Sequence, residues 1–165
     1  MTAVHDPLLV LTTGGTIDKN YFDALSAYQI GDTTVRRILE VGRVTHPFRV
    51  EEVLRKDSLD LSDADRALVR ERVLAAPEQR IVITHGTDTM ADTARTLADT
   101  GGRTIVLVGA LSPARFADSD AAFNLGMAFA AAQLAPPGVY IAMNGSVFDG
   151  LQTRKDRIAN AFVPL

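Results

Sequence analysis

Residues 81–90 read IVITHGTDTM. Ile81, Val82 and Ile83 are apolar at every position rather than at alternate ones. The run then breaks into a polar cluster, Thr84-His85-Gly86-Thr87-Asp88-Thr89. A strand apolar without alternation is buried on both faces, as in a parallel sheet covered by helices. Residues 8–13 (LLVLTT), 104–109 (TIVLVG) and 139–143 (VYIAM) read the same way. A further strand is predicted within 44–54, interrupted at His46-Pro47.

Helical patterns separate these runs. Asp32 is placed to cap a helix carrying Val35, Ile38 and Leu39 that ends near Gly42. Ser62 is placed to cap a second, with Asp63 and Asp65 in its first turn and Leu68, Val69, Val73 and Leu74 facing inward before Pro77. A third is predicted over 89–99, before Gly101-Gly102. A fourth spans 120–134, rich in Ala, with Phe123, Met127, Ala130 and Ala131 on one side, and Pro136-Pro137-Gly138 ends it. After Asp149-Gly150 only a short helical or irregular tail is predicted. The alternation implies a three-layer α/β fold, a mostly parallel β-sheet with helices on both faces.

Composition narrows the function. The 165 residues suit a single domain, 1–165. Seventeen Lys+Arg against twenty Asp+Glu leave a net charge of −3, which argues against nucleic acid as a partner because phosphate binding needs a concentrated basic face. The cysteine count of zero excludes a disulfide framework, a thiolate metal site and a cysteine nucleophile. The first residues carry no cationic region of a secretory leader, and no apolar stretch approaches the roughly 20 residues that cross a bilayer. A soluble, cytoplasmic protein with no membrane partner is expected. His5 and His46 have no metal-ligand spacing, and Asp57, Asp60, Asp63 and Asp65 read as a helix N-terminus rather than a metal cage, so no metal is expected.

Parallel strands would deliver three polar clusters to one rim: Thr12-Thr13-Gly14-Gly15-Thr16, then 84–89, then Asn144 through Gly150 followed by Lys155. Thr16 follows two glycines that permit close backbone approach. A threonine hydroxyl needs a neighbour to take its proton before it attacks. Thr87, Asp88 and Lys155 offer a hydroxyl, an anion and a cation for that task, and the backbone amides of Gly15 or Thr87 offer an oxyanion site. The set suits acyl transfer from a small amide or ester. Plainer readings stand beside it. TTGGT fits a tight turn or a phosphate loop, although it lacks the spacing of the usual nucleotide loops. Thr87, Asp88 and Thr89 are good N-cap residues, Lys155 sits in a charged tail where solvation is the default, and His85 reads as a structural hydrogen-bonding residue.

Thr13-Gly14-Gly15-Thr16-Ile17 and Ile83-Thr84-His85-Gly86-Thr87-Asp88-Thr89-Met90 resemble the two signatures of the bacterial-type L-asparaginases, the threonine amidohydrolases, in their N-terminal domain. Val108-Gly109-Ala110, Phe123-Asn124-Leu125 and Met143-Asn144 through Lys155 follow in that family's order. The resemblance implies the fold of that domain and hydrolysis of L-asparagine to L-aspartate and ammonia through an acyl-enzyme, with no cofactor. It makes Thr16 the nucleophile, Thr87, Asp88 and Lys155 the proton-handling group, and Asp88 also the contact for the substrate's α-ammonium. Gly15, Ser58, Gly86, Thr87 and Asp88 become the substrate-binding set, with Ser58 on the α-carboxylate. Leu59 stands where the family often has a polar residue, which weakens one contact. A loop tyrosine assists the nucleophile in the family; Tyr21 and Tyr28 both lie in the candidate loop 18–30, and Tyr21 is preferred as nearer Thr16.

Length is the main departure. The chain resembles a short, single-domain asparaginase without the family's C-terminal domain, and weaker substrate binding with the chemistry retained is expected. Self-association is implied, a dimer the favoured form, with Phe162 to Leu165 as a candidate contact. Glutamine is the rival substrate, one methylene longer. A catalytically weak amino-acid-binding module is the alternative of another class. The amidase subunit of a transfer-RNA amidotransferase ranks last, since no basic arm or additional N-terminal domain is visible.

Overall fold

Six strands form the central sheet in the order β4-β1-β5-β6-β7-β8: β1 Leu8–Gly14, β4 Phe48–Lys56, β5 Arg80–Thr84, β6 Thr104–Val108, β7 Gly138–Met143 and β8 Ser146–Asp149. All neighbours are parallel except β8, which runs antiparallel to β7. The structure, a computed structural model, describes residues 6–22 and 26–165. His5 and positions 23–25 of the candidate loop lie outside the described residues.

Strand geometry sorts the core. Successive side chains face opposite ways, so Leu9, Leu11, Ile81, Ile83, Ile105, Leu107 and Ile141 enter one layer, with α2 (Asp63–Ala75) and α3 (Met90–Thr96). Leu8, Val10, Val82, Val106 and Val108 enter the other, with α1 (Val35–Val41) and α4 (Ala121–Leu134). This is the expected three-layer arrangement. Among the described residues no helix is long and apolar enough to cross a membrane.

Ser62 caps α2 as expected, in a reciprocal capping box with Asp65. Several other expectations are corrected. The further strand predicted within 44–54 is β4, which starts at Phe48 after Pro47, whose carbonyl accepts from the Leu8 amide. Thr34, not Asp32, occupies the N-cap of α1; Asp32 instead pairs with Arg55 at 2.8 Å. Leu74 lies on the exposed flank of α2. In α4 the buried side is Ala121, Asn124, Leu125, Ala128, Phe129 and Ala132, while Phe123 is 63% exposed. The sheet takes Leu125 and Phe129 together with Ala121, Ala128 and Ala132, while Phe123 and Leu134 lie on the solvent side.

Within 18–30, β2 (Lys19–Phe22) and β3 (Ala27–Ile30) pair antiparallel, Tyr21 opposite Tyr28. The tail after Gly150 is likewise neither helical nor irregular. It forms an antiparallel pair, β9 (Thr153–Asp156) with β10 (Ala161–Pro164). Phe162 is buried there beside Phe148, ring centroids 6.3 Å apart, so it is not available as the expected partner contact.

His85 continues from β5, its amide bonded to the Val108 carbonyl at 2.9 Å. It is fully buried, with Nδ1 2.7 Å from the Gly86 carbonyl and Nε2 2.7 Å from the Thr93 hydroxyl. The carbonyl can only accept, so Nδ1 carries the proton and Nε2 accepts from Thr93. Burial pushes the imidazole pKa down to about 4. The unfolded chain takes up this proton near pH 6.5, the folded protein only near pH 4. Stability is therefore expected to fall as pH drops through that window, by up to ~3 kcal/mol from this group. Thermal denaturation of the wild type and of His85→Gln between pH 4 and 7.5 checks this: the variant should lose most of that slope.

Candidate active site

The chain leaves β1 toward β4 on one side and later places β5 on the other, so β1 and β5 flank a switch in strand order. Open α/β sheets bind ligands outside the carboxyl ends of strands at such a point. Thr12 lies opposite Thr84 in register, which brings Gly14-Gly15-Thr16 beside His85-Gly86-Thr87. The strand is kinked there: the register with β4 shifts between Thr12 and Gly14, and Gly15 has φ +84°.

Gly15 and Gly86 touch through their backbones. A Cβ on Gly15 would overlap the Gly86 amide, and one on Gly86 would sit 2.5 Å from Ser58 Oγ. The three residues therefore form a stack that only glycine permits at its first two levels. Thr16 and Thr87 each follow one of the touching glycines, so two hydroxyl side chains flank one backbone contact. Ser58 enters from the short 3-10 turn Ser58–Asp60 after β4, held by Thr89 Oγ1 donating to its carbonyl at 2.8 Å. Thr89 sits at the N-cap position of α3, yet this bond takes its hydroxyl away from capping. Ser58 Oγ is buried and has no hydrogen-bond partner among the described residues.

Lys155 reaches the same place from β9. Its Nζ donates to Thr87 Oγ1 at 2.6 Å and to Asp88 Oδ1 at 2.8 Å, and its side chain is only 10% exposed. The solvated surface lysine expected of a charged tail is corrected by strand alternation: Arg154 faces out, Thr153 is buried and Lys155 largely so. Arg95 of α3 anchors the strand through the Thr153 carbonyl at 3.1 Å. An ammonium donating to a hydroxyl leaves that hydroxyl's own proton free, so the pair can pass a proton from Lys155 through Thr87 to a group in front of it.

Other expectations fare differently. The Gly15 amide donates to the Lys56 carbonyl at 3.0 Å, so it is not an oxyanion donor, and the Thr87 amide is left as the candidate. Tyr21 is 47% exposed on β2, its ring 5.4 Å from that of Tyr28; no hydrogen bond ties it to Thr16 among the described residues. Sequence reasoning missed Lys19, which pairs with Asp57 Oδ2 at 2.7 Å. Burial raises the pKa of the Asp57 carboxyl, but the Lys19 hydrogen bond, the Leu59 amide and the nearby charges of Lys19 and Lys155 outweigh it and hold the group below its ordinary value. Asp120, read only as the start of the fourth helix, accepts from the Leu111 and Ser112 amides and from the Asn124 and Asn144 side chains, bracing the loops after β6 and β7. Among the described residues no three His, Asp or Glu side chains converge as a metal site would need.

Comparison with known proteins gives the family. The chain is 32% identical over 158 residues to an L-asparaginase of Thermococcus kodakarensis, covering 90% of this chain and 47% of that protein. It is 32% identical over 159 residues to L-asparaginase 2 of Escherichia coli, covering 90% and 46%. The solved structure of the thermostable L-asparaginase from Thermococcus kodakarensis superposes with a TM-score of 0.85 at 29% identity, over 96% of this chain and 51% of that one. The chain thus spans about half the length of the curated relatives it matches. The family model described as "Asparaginase, N-terminal" matches residues 7–162, and by that match the chain belongs to the asparaginase family.

Proposed function

We propose that the protein hydrolyses L-asparagine to L-aspartate and ammonia through an ester on Thr16. The observation that carries this reading is the buried Lys155 ammonium bonded at once to Thr87 and Asp88, one residue beyond the Gly15–Gly86 contact that holds Thr16. A site that only bound an amino acid would have no use for a lysine poised on a second hydroxyl.

In this reading Thr16 Oγ attacks the side-chain carboxamide carbon as its proton passes to the Thr87 hydroxyl of the Thr87–Lys155 pair, with the Thr87 amide donating to the developing oxyanion. The tetrahedral adduct collapses, the C–N bond breaks, and the nitrogen departs as ammonia with a proton supplied through the Thr87–Lys155 pair. Water then attacks the ester; its proton returns along the same pair, and Thr16 is regenerated as L-aspartate leaves. Asp88 Oδ1 is committed to Lys155, leaving Oδ2 for the substrate's α-ammonium. The unpartnered Ser58 hydroxyl donates to the α-carboxylate. Tyr21 belongs to this proposal as a residue that approaches Thr16 when the β2–β3 pair closes on substrate. Self-association, as a dimer, is part of the same reading and is supported by Val41, Phe123 and Leu134, which stay exposed on the layer of α1 and α4.

Thr16→Ala and Lys155→Met are each expected to cut ammonia release from L-asparagine by about 10³-fold or more while circular dichroism and melting stay near wild type. Near-normal turnover in either variant removes that residue from the mechanism. Gly86→Ala tests the stack, because the new methyl meets Ser58 Oγ at 2.5 Å and Ser58 Cβ at 2.6 Å. A rise in KM of at least about tenfold is expected, with a lower melting temperature. An unchanged KM would mean that Ser58 does not hold the substrate.

A further inference from the structure

A cleft of about 550 Å³ opens next to the segment carrying Ser58, lined by Lys19, Arg55, Lys56, Asp57, Leu59 and Asp60 among others. Its three cations are held differently. Arg55 pairs with Asp32 at 2.8 Å and Glu52 at 2.9 Å, and Lys56 donates to both carboxylate oxygens of Asp65 at 2.9 Å. None of those acids lines the cleft. Lys19 alone pairs with a cleft residue, Asp57, the neighbour of Ser58. Its charge therefore stays inside the cleft rather than being drawn to the rim.

The residues that follow Asp57 offer little to an anion: Leu59 lines the cleft with hydrocarbon, 61% exposed, and Ser58, buried behind it, has a single neutral hydroxyl. One hydroxyl is a poor replacement for the water around a carboxylate, whereas an ammonium makes a charge-assisted bond of roughly twice the strength. Lys155 lies close enough for its charge to act on Asp57, so Lys19, Asp57, Lys155 and Asp88 form an alternating row of positive and negative groups. A free α-amino acid is itself a zwitterion, and it matches such a row with its carboxylate beside Lys19 and its ammonium beside Asp88.

We infer that Lys19 is a specificity-determining residue, whose ammonium, poised on Asp57 beside Ser58, takes the α-carboxylate of the substrate and selects a free amino acid over one whose carboxyl is blocked. The inference rests on the proposed asparagine hydrolysis. It is tested by ammonia release from L-asparagine and from its α-methyl ester, which keeps the ammonium and the side-chain amide but lacks the negative charge. The wild type should prefer asparagine. Lys19→Met should raise KM for asparagine about 10- to 100-fold with kcat within about threefold, leave kcat/KM for the ester nearly unchanged, and so erase the preference. Lys19→Arg should restore it. A loss of equal size on both substrates, or a preference intact in Lys19→Met, overturns the inference while leaving the hydrolase reading in place. A folded wild type that releases no ammonia from either substrate overturns the hydrolase reading itself, and the role of Lys19 falls with it.

Discussion

The site depends on two peptide backbones lying in contact. Gly15 and Gly86 sit at the ends of adjacent parallel strands, with no room for a side chain between them, and Ser58 occupies the far side of Gly86. A Cβ at Gly15 would push apart the two threonines that follow the glycines and one at Gly86 would displace Ser58, and Gly15 would also have to hold φ +84°, where side-chain-bearing residues are strained. The sheet supplies the rigidity. Leu9, Leu11, Ile81 and Ile83 are fully buried directly behind the contact, so the strand ends cannot drift independently.

The second constraint is delivery of a cation from the far end of the sequence. Lys155 meets Asp88 across 67 residues of chain, and the short strand carrying it has little apolar surface of its own. It is positioned instead by its antiparallel partner β10, by the Phe162–Phe148 contact and by Arg95 holding the Thr153 carbonyl. Each of these fixes backbone, and side-chain alternation along the strand then turns Lys155 inward. The β9–β10 pair thereby sets the Lys155 ammonium against the loop after β5.

How far the sequence disclosed this follows from the same physics. The buried strands were legible because a doubly covered sheet imposes an apolar run with no alternation. The glycine-flanked threonines were legible because close backbone approach demands glycine. The tail hairpin was not, since Thr153-Arg154-Lys155-Asp156 reads as a solvated charge run and its pairing is made by backbone atoms that carry no sequence signal. In α4, apolar on nearly every side, spacing does not choose the buried face; the sheet does, taking Leu125 and Phe129 and leaving Phe123 and Leu134 outside. Asp32 looked like a helix cap, but the Thr34 amide and hydroxyl, 2.8 and 3.0 Å from Asp18, tie the start of α1 to the segment carrying Thr16. Residue type alone does not show which acid a helix start will meet. Lys19 stayed hidden for the same reason, because its partner Asp57 lies 38 positions away and only the fold brings them together.

His85 shows how the site separates framework from chemistry. It stands beside the residues proposed to react, and a histidine there invites the role of general base. Both its ring nitrogens are engaged, one on the Gly86 carbonyl and the other on Thr93, and burial keeps the ring neutral at ordinary pH. A group so enclosed has no lone pair or proton to offer a substrate. What it does is hold the Gly86 carbonyl in place, and with it the peptide against which Gly15 and Ser58 pack. In the proposed reaction proton movement is then left to Lys155 and Thr87, whose bond lies at the mouth of the strands, and the imidazole serves only by fixing the backbone on which those groups stand.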